Sequence, residues 1–136
     1  MRHAACSAVG MPIASLQDLQ VFRDALEAAD AVSAILNRPS LLKDFKLGSQ
    51  LSGASAAVAA QIAEGYGQLT DRHFAHYLAI ARGSTNELLA HLAVARGRGY
   101  LDDGEWQALS TQYTVLGKRL TRLMEHLKRE DRRDRG

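Results

Sequence analysis

At 136 residues the chain is long enough to bury one core without disulfide staples, and its single cysteine, Cys6, excludes an internal disulfide. A net charge of +2 neither demands nor excludes an anionic partner. No apolar run approaches the ~18 residues that cross a bilayer, so a reducing cytoplasm without membrane contact is expected.

Ala and Leu dominate, and β-branched or aromatic residues seldom alternate, which predicts an all-α domain. The start, "MRHAACSAVGMPIASL", lacks a hydrophobic segment adequate for export. Residues 1–14 are expected to form a loose extension, with Met11 an alternative start. A first helix is predicted over residues 15–37, with Ser15 as N-cap and an apolar stripe of Leu19, Phe22, Leu26, Ala29 and Leu36, with Ala25, Val32 and Ile35 beside it. Pro39 ends it by pushing Arg38 out of helical geometry. "SLLKDFKLG" then reads as a connection packed over the domain.

The second helix is predicted from Gly48 or Ser49 to Tyr66. Its interior, "GASAAVAAQIA", is built from small side chains that let neighbouring backbones approach closely. Thr70 and Asp71 open a third helix, whose stripe of Phe74, Leu78, Ala81, Thr85, Leu88, Leu92 and Ala95 runs to the "RGRGYL" turn. Over residues 70–98 it would be roughly 43 Å long. Asp102 and Glu105 have capping-box spacing before a fourth helix. Trp106, Leu109, Tyr113, Leu116, Leu120, Leu123 and Leu127 form its apolar stripe. Short turns join the last three helices, so an antiparallel up-and-down four-helix bundle is expected over residues 15–130. Residues 131–136 close the chain as a charged tail, read as a solvated helix end.

Chemistry-bearing motifs are scarce. "GYGQLT" holds G-x-G but follows a helix, and it lacks the third glycine of a dinucleotide site. Gly65 and Gly67 therefore read as helix terminators, able to take a left-handed conformation. Di-iron bundles need Glu-x-x-His pairs, and none occurs, although His73 and His76 lie three apart. His91 and His126 also read as polar helix positions. Cys6 has His3 near it in sequence but nothing to lower its pKa, and no nucleophile elbow is present. No catalytic residue, metal or cofactor is expected, and the chain reads as non-enzymatic. Glu64, on an alanine-rich helix, would be costly to bury unpaired, so it is expected to join a hydrogen-bond or ion-pair network within or between subunits.

The stretch "QIAEGYGQLTDRHFAHYLAIARGSTNELLAHLAVARGRGYL" resembles the small four-helix-bundle proteins encoded in intervening sequences of bacterial 23S ribosomal RNA genes. The likeness covers about residues 16–127. It rests on Ile62, Ala63, Glu64, Gly65, Tyr66 and Gly67, then Phe74, Tyr77 and Leu78, then Ala81, Arg82, Gly83, Ser84, Glu87 and Leu88, and finally Gly99, Tyr100 and Leu101. Ser49, Gln50 and Leu51 match the start of the family's second helix. The resemblance implies a ring-like homopentamer. It also implies kinship with the accessory variability protein of diversity-generating retroelements, which assists a reverse transcriptase and binds nucleic acid through basic surfaces.

Three departures remove cations. Ser52 and Gly53 stand where the family has arginines, and Gln68 replaces a basic residue; Gln61 stands for the family's asparagine. Arg96, Arg98, Lys118, Arg119 and Arg122 remain as candidate contacts to RNA or DNA phosphates, and a symmetric ring would multiply each. Each is equally readable as a solvated helix charge. Two functions follow: a nucleic-acid-binding accessory, or a protein-interaction scaffold whose partner is another protein, such as a reverse transcriptase.

Overall fold

The computed structural model describes residues 15–136, so the expected extension with Cys6 and Met11 lies outside the described residues. A 3₁₀ turn at Leu16–Asp18 precedes five helices: α1 Gln20–Leu36, α2 Pro39–Lys43, α3 Phe45–Tyr66, α4 Asp71–Gly97 and α5 Asp103–Arg135. Among the described residues there is no strand, and the fold is all-α.

The caps explain the boundaries. The Ser15 N–H donates to the Asp18 carboxylate at 3.1 Å, so this pair closes the 3₁₀ turn and α1 starts only after extended Leu19. Arg38 is extended, as a residue before proline should be, but Pro39 then opens α2 as its first residue. The expected connection is thus partly helical. Asp44 caps α3 through the Leu47 N–H, which starts that helix three residues before Gly48. Gly48 lets α2 lie close, since a Cβ there would stand 3.1 Å from the Leu41 carbonyl oxygen. Thr70 caps α4, and Asp102 and Glu105 form a reciprocal capping box on α5, as their spacing predicts.

The four long helices pack in a closed order, α1 on α3, α3 on α4, α4 on α5 and α5 back on α1. Cross-contacts set their directions. Arg96 meets Asp103 beside the α4–α5 turn, whereas Arg82 meets Thr121 far from it, so these helices are antiparallel. The Gln61–Ser84 contact and the seating of Gly65 on Phe74 and Tyr77 give the same sense for α3 and α4.

Phe74, Leu78, Leu88 and Leu92 of α4 and Tyr113, Leu116, Leu120 and Leu127 of α5 fill the interior. In α1 the buried stripe is Phe22, Ala25, Ala28, Val32 and Ile35, while Leu26 is 40% exposed. Leu19 and Phe22 of the expected stripe are buried with Ala25, Val32 and Ile35 beside it, so the helix is turned slightly toward its smaller residues, which admit α1 closer to its neighbours. Met124 is buried where Leu123 was expected to be. Beyond Leu127, α5 has no buried residue; its last two turns carry i,i+3 and i,i+4 pairs, Arg133 with Glu130 and Arg135 with Asp131.

Candidate nucleic-acid interface

The five candidate cations do not share one surface. Arg96 pairs with Asp103 at 2.9 Å and lies over the Trp106 ring, 4.2 Å from its centroid. Arg98 pairs with Asp44 at 2.7 Å, and Arg119 with Asp24 at 2.6 Å. Each of these three therefore already has a carboxylate in its own chain. Lys118 and Arg122, one turn apart on α5, carry no ion pair among the described residues. A helix turns about 100° per residue, so Lys118 and Arg119 leave it on different flanks. Arg119 faces α1; Lys118 and Arg122 face α4.

There they meet Arg82 across a groove of about 420 Å³ between α4 and α5. Arg82 donates to Thr121 Oγ1 at 3.1 Å, and Thr121 donates in turn to the Gly117 carbonyl at 3.1 Å. Thr85 is committed likewise, donating to the Arg82 carbonyl at 2.6 Å. Tyr113 also lines the groove, fully buried, and its hydroxyl has no hydrogen-bond partner among the described residues. Burial pushes that hydroxyl well above its ordinary pKa, so it remains a donor. Glu125 lies at the same groove and offsets one cation.

The family-like motif residues divide into packing and surface positions. Gly65 is buried inside α3, where a Cβ would come 2.8 Å from Tyr77 Cβ and 3.2 Å from the Phe74 carbonyl oxygen. It is therefore a close-approach glycine and not a helix terminator. Gly67 does end α3, but with φ −75°, so no left-handed turn is involved. The positive-φ residue among those described is Gly99, at 79°, in the α4–α5 turn. Ser84 is buried and lies 2.8 Å from the Gln61 amide, so the departure from asparagine at 61 still joins the two motifs.

Arg82 reaches across to α5, whereas Gly83 is exposed with nothing within 4 Å of an added Cβ. Glu87 is mostly exposed, with His91 3.5 Å away. Glu64 is exposed too, and its carboxylate has no ion pair or hydrogen bond among the described residues. The expected pairing is thus not made within these residues of the chain. Its exposure removes the burial cost that made a partner necessary.

Two polar hubs join residues that no sequence pattern connects. Arg38 forms a two-pronged ion pair with Glu105, at 2.9 Å for one prong, and donates to the Tyr100 carbonyl at 3.2 Å. The Arg38 guanidinium and then the Asp102 N–H hold the Glu105 carboxyl down at about 2. Asp44 accepts from the Tyr100 hydroxyl at 2.9 Å and from Arg98 at 2.7 Å, which lowers its pKa. The only sequence signal was a lone charge beside each helix break. Among the described residues, no group of three or more potential ligands could hold a metal, and no helix is long and apolar enough to cross a membrane.

A family model for the 23S rRNA-intervening sequence protein matches residues 17–122. A solved structure from Bacteroides thetaiotaomicron, a protein with unknown function from the S23 ribosomal protein family, is 20% identical. The match covers 76% of this chain and 97% of that one, with a TM-score of 0.71, which shows a shared fold. No curated protein matches the chain.

Proposed function

The chain belongs to the 23S rRNA-intervening sequence protein family, and from that premise we propose that it is a non-enzymatic accessory that binds nucleic acid as an oligomer. Its four long helices act as one up-and-down bundle, and several copies close into a ring, five in the arrangement the family resemblance implies. The observation that carries the nucleic-acid reading is the convergence of Arg82, Lys118 and Arg122 on one groove, without an ion pair among the described residues. Unpaired cations are those able to replace counterions on a phosphate backbone. The lone Cys6 suits a reducing cytoplasm.

The test is binding of RNA, DNA and an RNA–DNA hybrid at two salt concentrations, with the oligomeric mass recorded alongside. Affinity should fall steeply with salt, and Lys118→Ala with Arg122→Ala should flatten that dependence by a slope of about 1–2 per engaged chain. Absence of binding even at low salt sinks the proposal.

The second reading, a protein-interaction scaffold, draws on another face. Ile80, Gly83, Glu87, Ala90 and Val94 are all exposed and follow a 3-4 spacing along α4. Such a stripe suits a helix of another subunit or partner.

A further inference from the structure

Helix α3 carries two charges at the disfavoured ends of its own dipole. Lys46 lies in its first turn, where exposed N–H groups favour an anion, and Glu64 lies in its last turn, where exposed carbonyls favour a cation. Both side chains are exposed, and neither carries an ion pair among the described residues. The stability of the single helix therefore gives no reason for either charge. They are 18 residues apart, which is five whole turns. Both leave the helix on the same flank, about 27 Å from each other.

That spacing is self-complementary. When a second α3 lies antiparallel to the first about a two-fold axis, one flank of each helix meets the same flank of the other. Lys46 of each copy then faces Glu64 of its mate, so the ion pair is made twice. Each charge also comes beside the end of the neighbouring helix that favours its sign. In this register Gly53 falls opposite Ala57, and Gln50 opposite Ala60.

The rest of the face agrees with this register. Ser49, Gly53, Ala56 and Ala60 are its outermost positions, all exposed, and an added Cβ at Gly53 meets nothing within 4 Å. These small side chains permit a close approach; the charges specify its direction. At the ends, Leu42, Phe45 and Leu69 are 62%, 80% and 89% exposed, the highest values among the large apolar side chains described. Leu42 and Phe45 stand at the start of α3 and Leu69 just past its end. Antiparallel pairing brings the apolar start of each copy to the apolar end of the other and removes both from water.

We infer that the outer face of α3 is a two-fold interface with a second copy of this chain. Reciprocal Lys46–Glu64 ion pairs fix its register, and Leu42, Phe45 and Leu69 close its ends. The contact uses a different helix from the exposed stripe of α4, and it depends on neither the ring nor the nucleic-acid reading. Where a ring forms through another face, the α3 contact joins two rings.

Sedimentation of the full chain tests this. At one concentration, Lys46→Glu and Glu64→Lys should each show half the parent mass, because each sets like charges opposite each other at both ends. Mixed one to one, the two variants again offer opposite charges and should regain the parent mass. Both substitutions suit the dipole of α3, so each variant should melt no lower than the parent. A role confined to the single chain would not be rescued by mixing. Gly53→Gln faces open space in the single chain and should halve the mass without loss of helix. Ala56→Cys in a Cys6→Ser background brings a thiol beside its own counterpart near the two-fold axis, so diamide should link the chains in pairs. Parent mass in both charge variants, failure of the mixture to regain it, or a parent that sediments as a single chain at every concentration overturns the inference. Rescue by mixing in a protein that binds no nucleic acid leaves the interface standing while the proposed function falls.

Discussion

A methyl group at position 65 would sit 2.8 Å from Tyr77 Cβ and 3.2 Å from a backbone oxygen of α4, and neither neighbour is the free end of a flexible chain. Gly65→Ala should therefore force α3 and α4 apart and destabilise the fold by about 1–3 kcal/mol, measurable as a fall in the urea midpoint. Gly83 gives the opposite expectation. It is an exposed position of α4 with open space around an added Cβ, so Gly83→Ala should stabilise an isolated chain by up to ~1 kcal/mol. If the same change instead weakens self-association, as read by sedimentation, then another copy of the chain approaches that glycine. The two residues look alike in sequence, since each sits in a helix beside polar neighbours. What separates them is a distance to the next helix, which no local pattern encodes. For the same reason the Tyr113 hydroxyl was invisible in sequence, where Tyr113 read as one more position of an apolar stripe.

At the level of elements, a side-chain cap made a boundary legible only where the residues after it also carried a helical apolar pattern. Thr70 and the Asp102–Glu105 pair announced α4 and α5, because each places an oxygen where first-turn N–H groups need it. Asp44 does the same for α3, but Lys43 and exposed Phe45 around it read as a connection. The long-range partners of Asp44, Arg98 and Tyr100, lie more than 50 residues away. These clamps carry a pH dependence. The Glu105 carboxyl, ordinarily near 4.5, titrates at about 2 in the fold, and Asp44 is lowered as well. In the unfolded chain both take up protons sooner, so their stabilising contribution is complete above about pH 4.5 and is lost as pH falls toward 2. The melting temperature should therefore drop between pH 5 and pH 3, and Glu105→Gln should lower it at pH 7 and shrink the acid-dependent drop. An unchanged drop in that variant would remove Glu105 from the account.

For the whole molecule, the all-α fold and the directions of α3, α4 and α5 follow from apolar periodicity and short turns, whereas the use of the outer surface depends on copies of the chain meeting. Ile80 and Val94 are about two-fifths exposed, on a stripe with Gly83 and Ala90 between them, and that stripe does not line the α4–α5 groove. Ile80→Glu should thus leave the folded chain within about 0.5 kcal/mol of its parent stability. On the ring reading, it should reduce the mass in solution to that of smaller species, because a desolvated glutamate at a helix seam is costly. The groove would remain intact on each released chain, so on the nucleic-acid reading binding of a short oligonucleotide that spans one groove should not change. Binding of a long single strand should weaken far more, since a ring presents several grooves to one strand and each engaged groove raises the effective concentration for the next. Long-strand and short-oligonucleotide affinity measured on Ile80→Glu therefore separate the two levels. Loss of both would place Ile80 in the binding site itself, and loss of neither, with mass unchanged, would move the seam off this face of α4.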